Sequence, residues 1–543
     1  MQEGASGVNF FRRDFLKLAG AGVAGTAATM QASGAVADAG AFYSQSSNGK
    51  FDVQSYGAKG DGHTIDTPAV NRAIAAASAA GGGIVHFQAG TYACYSIHLK
   101  SHVALYLEAG ATILAASTPL EGTTSGGYDA AESDAPWAAY QDYGHNHWHN
   151  SLIWGENIHD VAILGSGRIW GKGLSRGWST EKPLAESPGV GNKAITLKNC
   201  HSVLLRDFSI LQGGHFGILA TGVNNLTIDN LKIDTNRDGM DIDCCRNVHI
   251  SNCSVNSPWD DGICLKSSFA LGVARATENV TISNCYVTGA YEMGTLLDGT
   301  FQKFSSEQNI PQTGRIKCGT ESNGGFRNIV ISNCVLEGCH GLALETVDGA
   351  LLEDISITNI TMRDIVRSPL FLRLGRRMRG PKGIPVGQLR RILISNIVYS
   401  NAAAHPGSIL SGIPGHAIED VKLSDIFIQH QGGALKTQAA MQPPELEAEY
   451  PGPDMFGPVP SHGFFLRHIR NLDMSHIEIA PMRPDMRPAF ALEDVANATF
   501  FQVQTPRSAG VPVFSLRQVD GFRVAFSQGV PDTQLTQAEN TAL

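Results

Sequence analysis

The 543-residue chain is sparing with charge: Asp, Glu, Lys and Arg make up 17% of it, and acidic residues outnumber basic ones, 50 to 41. A net charge of −9 offers no basic excess of the kind that grips nucleic acid or an anionic membrane surface, which argues against both as partners. Cysteine is thin as well. Ten residues are spread over the whole length with no Cys-x-x-Cys pair, which speaks against a disulfide scaffold and a cysteine-based zinc site. The contexts Ser251-Asn252-Cys253, Ser283-Asn284-Cys285 and Ser332-Asn333-Cys334 repeat, so the thiols read as packing groups in a recurrent slot. Beyond the N-terminus no segment approaches the about 18 consecutive apolar residues of a membrane-spanning helix. What the chain does have is 60 glycines and 24 prolines beside 43% hydrophobic residues, the composition of a globular protein with many turns.

The start of the chain reads differently from the rest. Phe11-Arg12-Arg13-Asp14-Phe15-Leu16-Lys17 precedes a Gly/Ala-rich apolar stretch from Leu18 to Met30, and Ala35-Val36-Ala37 follows as a cleavage pattern. The segment resembles a twin-arginine export signal. Residues 1–37 are therefore expected to be a bacterial signal peptide, and the mature protein periplasmic or secreted, without membrane insertion.

Thr67-Pro68, then Val70, Ile74 and Ala77, stopped by Gly81-Gly82-Gly83, predicts one amphipathic helix over 67–80 with Thr67 as its N-cap. From Ile84 the pattern changes to short β-branched segments such as Ile84–Phe87, Val103–Leu107 and Val161–Leu164. These repeat. Asp207, Asn230, Asn252, Asn284, Asn333, Asn359, Asn396 and Asp425 share one column of a recurring motif, at a minimum spacing of 22 residues with longer intervals where loops are inserted. That is the signature of a solenoid with one rung per repeat, each stacked about 4.8 Å above the last, so that turn amides can form a ladder. The expectation is an all-β, single-domain parallel β-helix over 45–530, with the short N-terminal helix capping its first rung and 531–543 a flexible tail.

Chemistry concentrates in one register. Asp238 and the pair Asp260-Asp261 are 22 residues apart, one repeat, which predicts Asp238 and Asp260 at equivalent positions on neighbouring rungs. Carboxylates so close cannot all ionise freely: one is pushed to hold a proton while its neighbours remain bases. Arg315 and Lys317, two residues apart, share a strand face and could grip an anionic sugar such as a uronate. Each feature alone is commonplace; the shared register is what carries the reading.

With these residues in place the chain resembles glycoside hydrolase family 28, the polygalacturonase-like right-handed parallel β-helices. The N-terminal match is Tyr56-Gly57-Ala58-Lys59-Gly60-Asp61-Gly62, Asp66-Thr67, Gly81-Gly82-Gly83 and Gly110-Ala111-Thr112-Ile113; the discriminating one is Asn236–Asp238, Asp260-Asp261 and Arg315-Ile316-Lys317. The resemblance implies a catalytic set in which Asp260 is the general acid and Asp238 and Asp261 activate water on the opposite face of the sugar, with inversion. Acid and base carboxyls would then stand roughly 6.5–9.5 Å apart. It also implies Arg315 and Lys317 as substrate-binding residues, a pectic poly- or oligosaccharide as partner, and no cofactor or metal.

The match has one departure. Where the family places Gly-His-Gly, this chain has Tyr291-Glu292-Met293-Gly294, so Met293 replaces the usual His and Glu292 adds an acid that could accept hydrogen bonds from neutral sugar hydroxyls. His147, flanked by His145 and His149, is expected on one strand face as a subsite contact, and Trp259 as a surface on which a sugar ring stacks. The 49-residue interval from Asn284 to Asn333 and the Pro-rich stretch after Gln442, with Tyr450-Pro451 and Phe456-Gly457, are expected to wall off one end of a groove and favour action from chain ends. Two other readings keep the β-helix: a polysaccharide lyase with Ca²⁺ held by Asp238, Asp241 and Asp243, and a glycan-binding adhesin.

Overall fold

The computed structural model describes residues 49–117, 127–176, 187–403, 407–506 and 508–543; the export signal expected at residues 1–37 lies outside them. Three short strands make each turn of the coil. Phe216–Thr221, Asn224–Asp229 and Lys232–Asp234 are followed by Asp238–Asp243, Arg246–Ser251 and Ser254–Asn256, which pair with them in parallel. The same stacking continues into Ile263–Ser267, Thr277–Ser283 and Tyr286–Thr288. The expected solenoid of parallel strands is what the chain forms.

Two features of the sequence enforce it. First, like stacks on like inside the coil: Ile218, Met240, Ile263, Ile316, Leu342 and Leu370 form one vertical column, none more than 2% exposed. Burying one such side chain contributes roughly 1.5–3 kcal/mol, and a one-residue slip would turn the whole column outward. Second, all eight residues of the Asn/Asp column, from Asp207 to Asp425, have φ between 54° and 73°, the left-handed conformation that Asn and Asp tolerate best. Their amides ladder from rung to rung, Asn230 Nδ2 donating to Asp207 Oδ1 at 2.9 Å and Asn359 Nδ2 to Asn333 Oδ1 at 3.1 Å. All ten cysteines are free and buried, as their repeated context predicted.

The helix Thr67–Ala79 buries Val70, Ala73, Ile74 and Ala77 against the first turns. Its N-cap is Asp66 rather than Thr67, because the Thr67 hydroxyl instead accepts the Tyr95 amide at 2.7 Å. No described helix is long and apolar enough to cross a membrane. The flexible tail expected at 531–543 is corrected: Thr533–Ala542 turns back as an antiparallel strand on Phe514–Ala525, covering the last open sheet edge.

Candidate active site

Asp238 opens its strand, and Asp260 and Asp261 lie in the turn before the next one, so stacking brings the three carboxyls together: an oxygen from each lies within 4.8 Å of the others. The register corrects the sequence expectation. Met240 pairs with Ile263, and the Gly239 amide donates to the Asp261 carbonyl at 2.9 Å, which makes Asp261, not Asp260, the rung equivalent of Asp238. Asp260 is the additional residue of its turn, and that displaces it outward. Its side chain is 29% exposed against 6% for Asp238 and 3% for Asp261. Gly239 and Gly262 permit the approach, since a Cβ on Gly239 would lie 2.3 Å from the Gly262 carbonyl oxygen.

Each carboxyl has a different electrostatic environment. Asp238 is buried beside Asp260 and Asp241, and desolvation with those like charges raises its pKa well above the usual carboxylate range. Asp261 is buried too, yet Arg315 Nε at 2.5 Å and Lys317 Nζ at 3.4 Å hold it well below that range. Asp260 pairs with Arg237, whose Nη2 is 2.6 Å from its Oδ2. That pairing draws Asp260 toward Asp238, so the nearest oxygens are closer than the separation anticipated for an acid and a base flanking a sugar.

Arg315 and Lys317 do share one face, but not as free cations. Glu345 closes the set, with Oε1 3.9 Å from Arg315 and Oε2 3.5 Å from Lys317, so two cations are matched by two carboxylates. Lys317 is 1% exposed and lies under the Tyr450 ring, 5.7 Å from its centre. The cavity above, of about 380 Å³, is lined by Asp260, Arg315, His340, Arg367 and the segment Tyr450–Met455. That is within the roughly 300–1,000 Å³ typical of ligand sites. His340 Nε2 donates to the Pro311 carbonyl at 2.9 Å; burial and the Arg315 charge push its pKa down to about 3, so its ring is neutral with Nδ1 as acceptor.

The remaining expected residues do not join this cavity. Glu292 stands in a turn fastened by Asp234, which accepts the Gly294 and Leu296 amides at 2.8 and 3.1 Å; its side chain makes no ion pair or hydrogen bond with the described residues. Trp259 packs edge-on against Phe304, 5.5 Å between centres. The strand expected for 145–149 is replaced by turns, and the three imidazoles diverge. His145 reaches Asp241 at 2.8 Å and Glu321 at 3.3 Å, His147 is buried 3.6 Å from Asp134, and His149 meets Glu156 at 2.9 Å. The helper residues that sequence reasoning missed are Arg237 and His340, whereas Tyr450 belongs to the segment expected to form a wall. Arg237 adjoins a motif residue, and His340 precedes a glycine as the family's His does, but on a later rung.

Two insertions cover the outer face of the coil. Phe456 and Val459 pack on Phe371, Ile409 and Phe465, and Trp148 packs on Phe216, Leu219 and Ala270 while its Nε1 donates to Thr221 Oγ1 at 3.0 Å. The expectation that the stretch after Gln442 forms a wall holds.

With this geometry established, comparison with known proteins defines the hand and kin of the fold. A family described as "Right handed beta helix region" matches residues 185–311, and one described as "Rhamnogalacturonase A/epimerase, pectate lyase-like" matches residues 50–138. The chain is a right-handed parallel β-helix. A probable polygalacturonase of Vitis vinifera is 24% identical over 411 residues, 70% of this chain and 74% of that protein. Among solved structures, the exopolygalacturonase of Thermotoga maritima superposes with a TM-score of 0.55 at 17% identity, covering 79% of this chain and 92% of that one. The family 28 exopolygalacturonase of Yersinia enterocolitica gives 0.58 at 16% identity, covering 89% and 79%. Both share this fold.

Proposed function

We propose that this protein is a glycoside hydrolase that cleaves α-linked sugars of pectic polysaccharide, from chain ends and with inversion. One observation carries the reading: three carboxyls with an oxygen of each within 4.8 Å of the others converge beside a single cavity, and of the three only Asp260 opens into it. Burial and neighbouring carboxylates favour the protonated form of Asp238, and Asp260, the carboxyl that faces the cavity, delivers the proton to the glycosidic oxygen. Asp261, held ionised by Arg315 and Lys317, is a weak base. It orients the attacking water and takes up its proton late, as an oxocarbenium-like transition state allows. The polygalacturonase relative and the exopolygalacturonases that share the fold support a pectic substrate. The wall built by Tyr450–Phe456 supports attack on chain ends. Export through the twin-arginine route to the periplasm or medium completes the proposal, since polymeric pectin lies outside the cell.

The matching of Arg315 and Lys317 by Asp261 and Glu345 favours a second reading within the same activity, in which the sugar at that position is neutral rather than a uronate. Incubation with EDTA and a panel of pectic polysaccharides and oligosaccharides tests all of this. Reducing ends without ultraviolet absorbance from an unsaturated uronate are expected, the released anomer read by NMR and the released sugar by chromatography. Absorbance that EDTA abolishes would overturn hydrolysis in favour of a lyase.

A further inference from the structure

The histidine-rich segment left unexplained by the catalytic cavity builds a second polar site. Residues 127–150 meet the coil through Asp129, whose Oδ2 accepts the Trp154 Nε1 hydrogen at 2.7 Å, and Glu132 ties the segment to itself. Its Oε2 accepts the Trp148 and His149 amides at 2.9 and 3.2 Å, which aims the other oxygen inward. That oxygen, Oε1, is buried and accepts no hydrogen bond. It faces His149 Nε2 at 3.6 Å, Glu156 Oε2 lies 2.9 Å from the same nitrogen, and the ligand atoms of the three residues all lie within 4.8 Å of one another. The two glutamates are 20% and 24% exposed and the histidine 28%, so the group is sheltered. Trp154 packs against the imidazole, 4.0 Å between centres and tilted by 31°. Lys198 binds the far oxygen of Glu156 at 3.1 Å and leaves Oε2 to His149.

We propose that Glu132, His149 and Glu156 bind a divalent ion of the zinc class and thereby fasten residues 127–150 to the coil. Ligands at about 2.0–2.1 Å from a tetrahedral ion stand about 3.3 Å apart, and the two measured separations bracket that value. The donor set, one imidazole nitrogen and two carboxylate oxygens with water in the fourth position, suits zinc; the nitrogen disfavours calcium and magnesium, which prefer oxygen throughout. The ion would satisfy the orphan oxygen of Glu132 and offset the carboxylate charge that Lys198 leaves unmatched. Glu156 belongs to the strand Ser151–Glu156, so the ion ties the covering segment to a fixed rung.

The test uses the full chain, stripped with chelator and titrated at neutral pH with Zn²⁺, and separately with Ca²⁺, by calorimetry and thermal unfolding. One tight equivalent of Zn²⁺ that raises the unfolding midpoint is expected, with no response to Ca²⁺. His149→Gln and Glu132→Gln should each weaken that equivalent by more than the roughly 10–100-fold that loss of a merely supporting residue costs. The exposed His102–His159–Asp160 group is the control, and His159→Gln should leave the tight equivalent in place. Cobalt substitution adds a readout that does not depend on stability: the intense visible bands of a tetrahedral site, lost in the folded Glu132→Gln protein. Equal Zn²⁺ binding by wild type and both site variants, or no tight equivalent at all, would overturn the proposal and leave His149 as an ordinary partner of two glutamates.

Discussion

Arg237 sets its Nη2 2.6 Å from Asp260 Oδ2 and 4.0 Å from Asp238 Oδ2, so a single guanidinium spans carboxyls from two successive turns. Its charge opposes the rise in the Asp238 pKa, and removing it should raise that pKa further. Arg237→Ala should therefore move the basic limb of the kcat/KM profile to higher pH, because the proton-donating form survives further up the scale. The rate itself should fall roughly 10- to 100-fold as Asp260 loses its orientation. A profile whose limb stays in place would detach Arg237 from the acid.

The two acidic neighbours Asp260 and Asp261 should fail in different ways. Asp260→Asn removes the group facing the cavity and leaves Arg237 in a partly open site, so kcat should drop by roughly 10²–10⁴ with little change in unfolding temperature. Asp261→Asn leaves Arg315 and Lys317 buried with Glu345 alone. Breaking a buried charge set costs roughly 3–5 kcal/mol, so this variant should lose stability as well as activity. Thermal melts beside single-turnover rates separate the two; equal stability of both proteins would contradict the buried-pair account.

Residues under periodic constraint were the ones legible in the sequence. Asn230, Asn252 and Asn284 announce the turn because only a few side chains tolerate that backbone, and the same column predicted parallel rungs and convergent carboxyls. The error was one residue of register. A spacing of 22 pointed to Asp260 as the partner of Asp238, but the rung is 23 residues long and the turn holds one more. Turns and insertions carry no period, so nothing in the sequence placed His340 at the cavity, sent His145, His147 and His149 to separate partners, or turned residues 533–542 back as a strand. Those outcomes depend on contacts between residues far apart in the chain.

Burial pushes Glu321 up to about 7, with His145 at 3.3 Å, Lys266 at 3.8 Å and the carboxylates of Asp142 and Asp243 as its charged neighbours and the Asp142 amide donating to it at 2.8 Å. Between its ordinary value of 4.5 and about 7 the folded protein holds a proton that the unfolded chain has released. Stability therefore falls as pH rises through that window. The raised pKa values of His145 and Asp238 act in the same direction. The unfolding temperature should decline across the window in wild type and decline less in Glu321→Gln, and parallel curves for the two proteins would remove Glu321 from the account.

Phe456 directly follows the segment that lines the cavity. The ring is 1% exposed, stands edge-on to Phe371 and Phe465 at 6.2 and 6.3 Å, and lies 5.3 and 5.4 Å from the guanidinium carbons of Arg373 and Arg467. It thus anchors the segment that carries Tyr450–Met455 over the carboxyl cluster. Truncating a buried phenylalanine costs roughly 3–5 kcal/mol, and here the loss falls on the wall, because the aliphatic column inside the coil does not touch this ring. Phe456→Ala should loosen the wall while leaving Asp238, Asp260 and Asp261 in place. A longer stretch of polymer could then cross the site, so early digestion products should shift from the smallest sugar toward mixed oligosaccharides, with viscosity of the polymer falling faster per bond cleaved. Chromatography of early time points reads the change. An unaltered product pattern in a folded, active variant would mean that the wall does not set where along the chain the enzyme cuts.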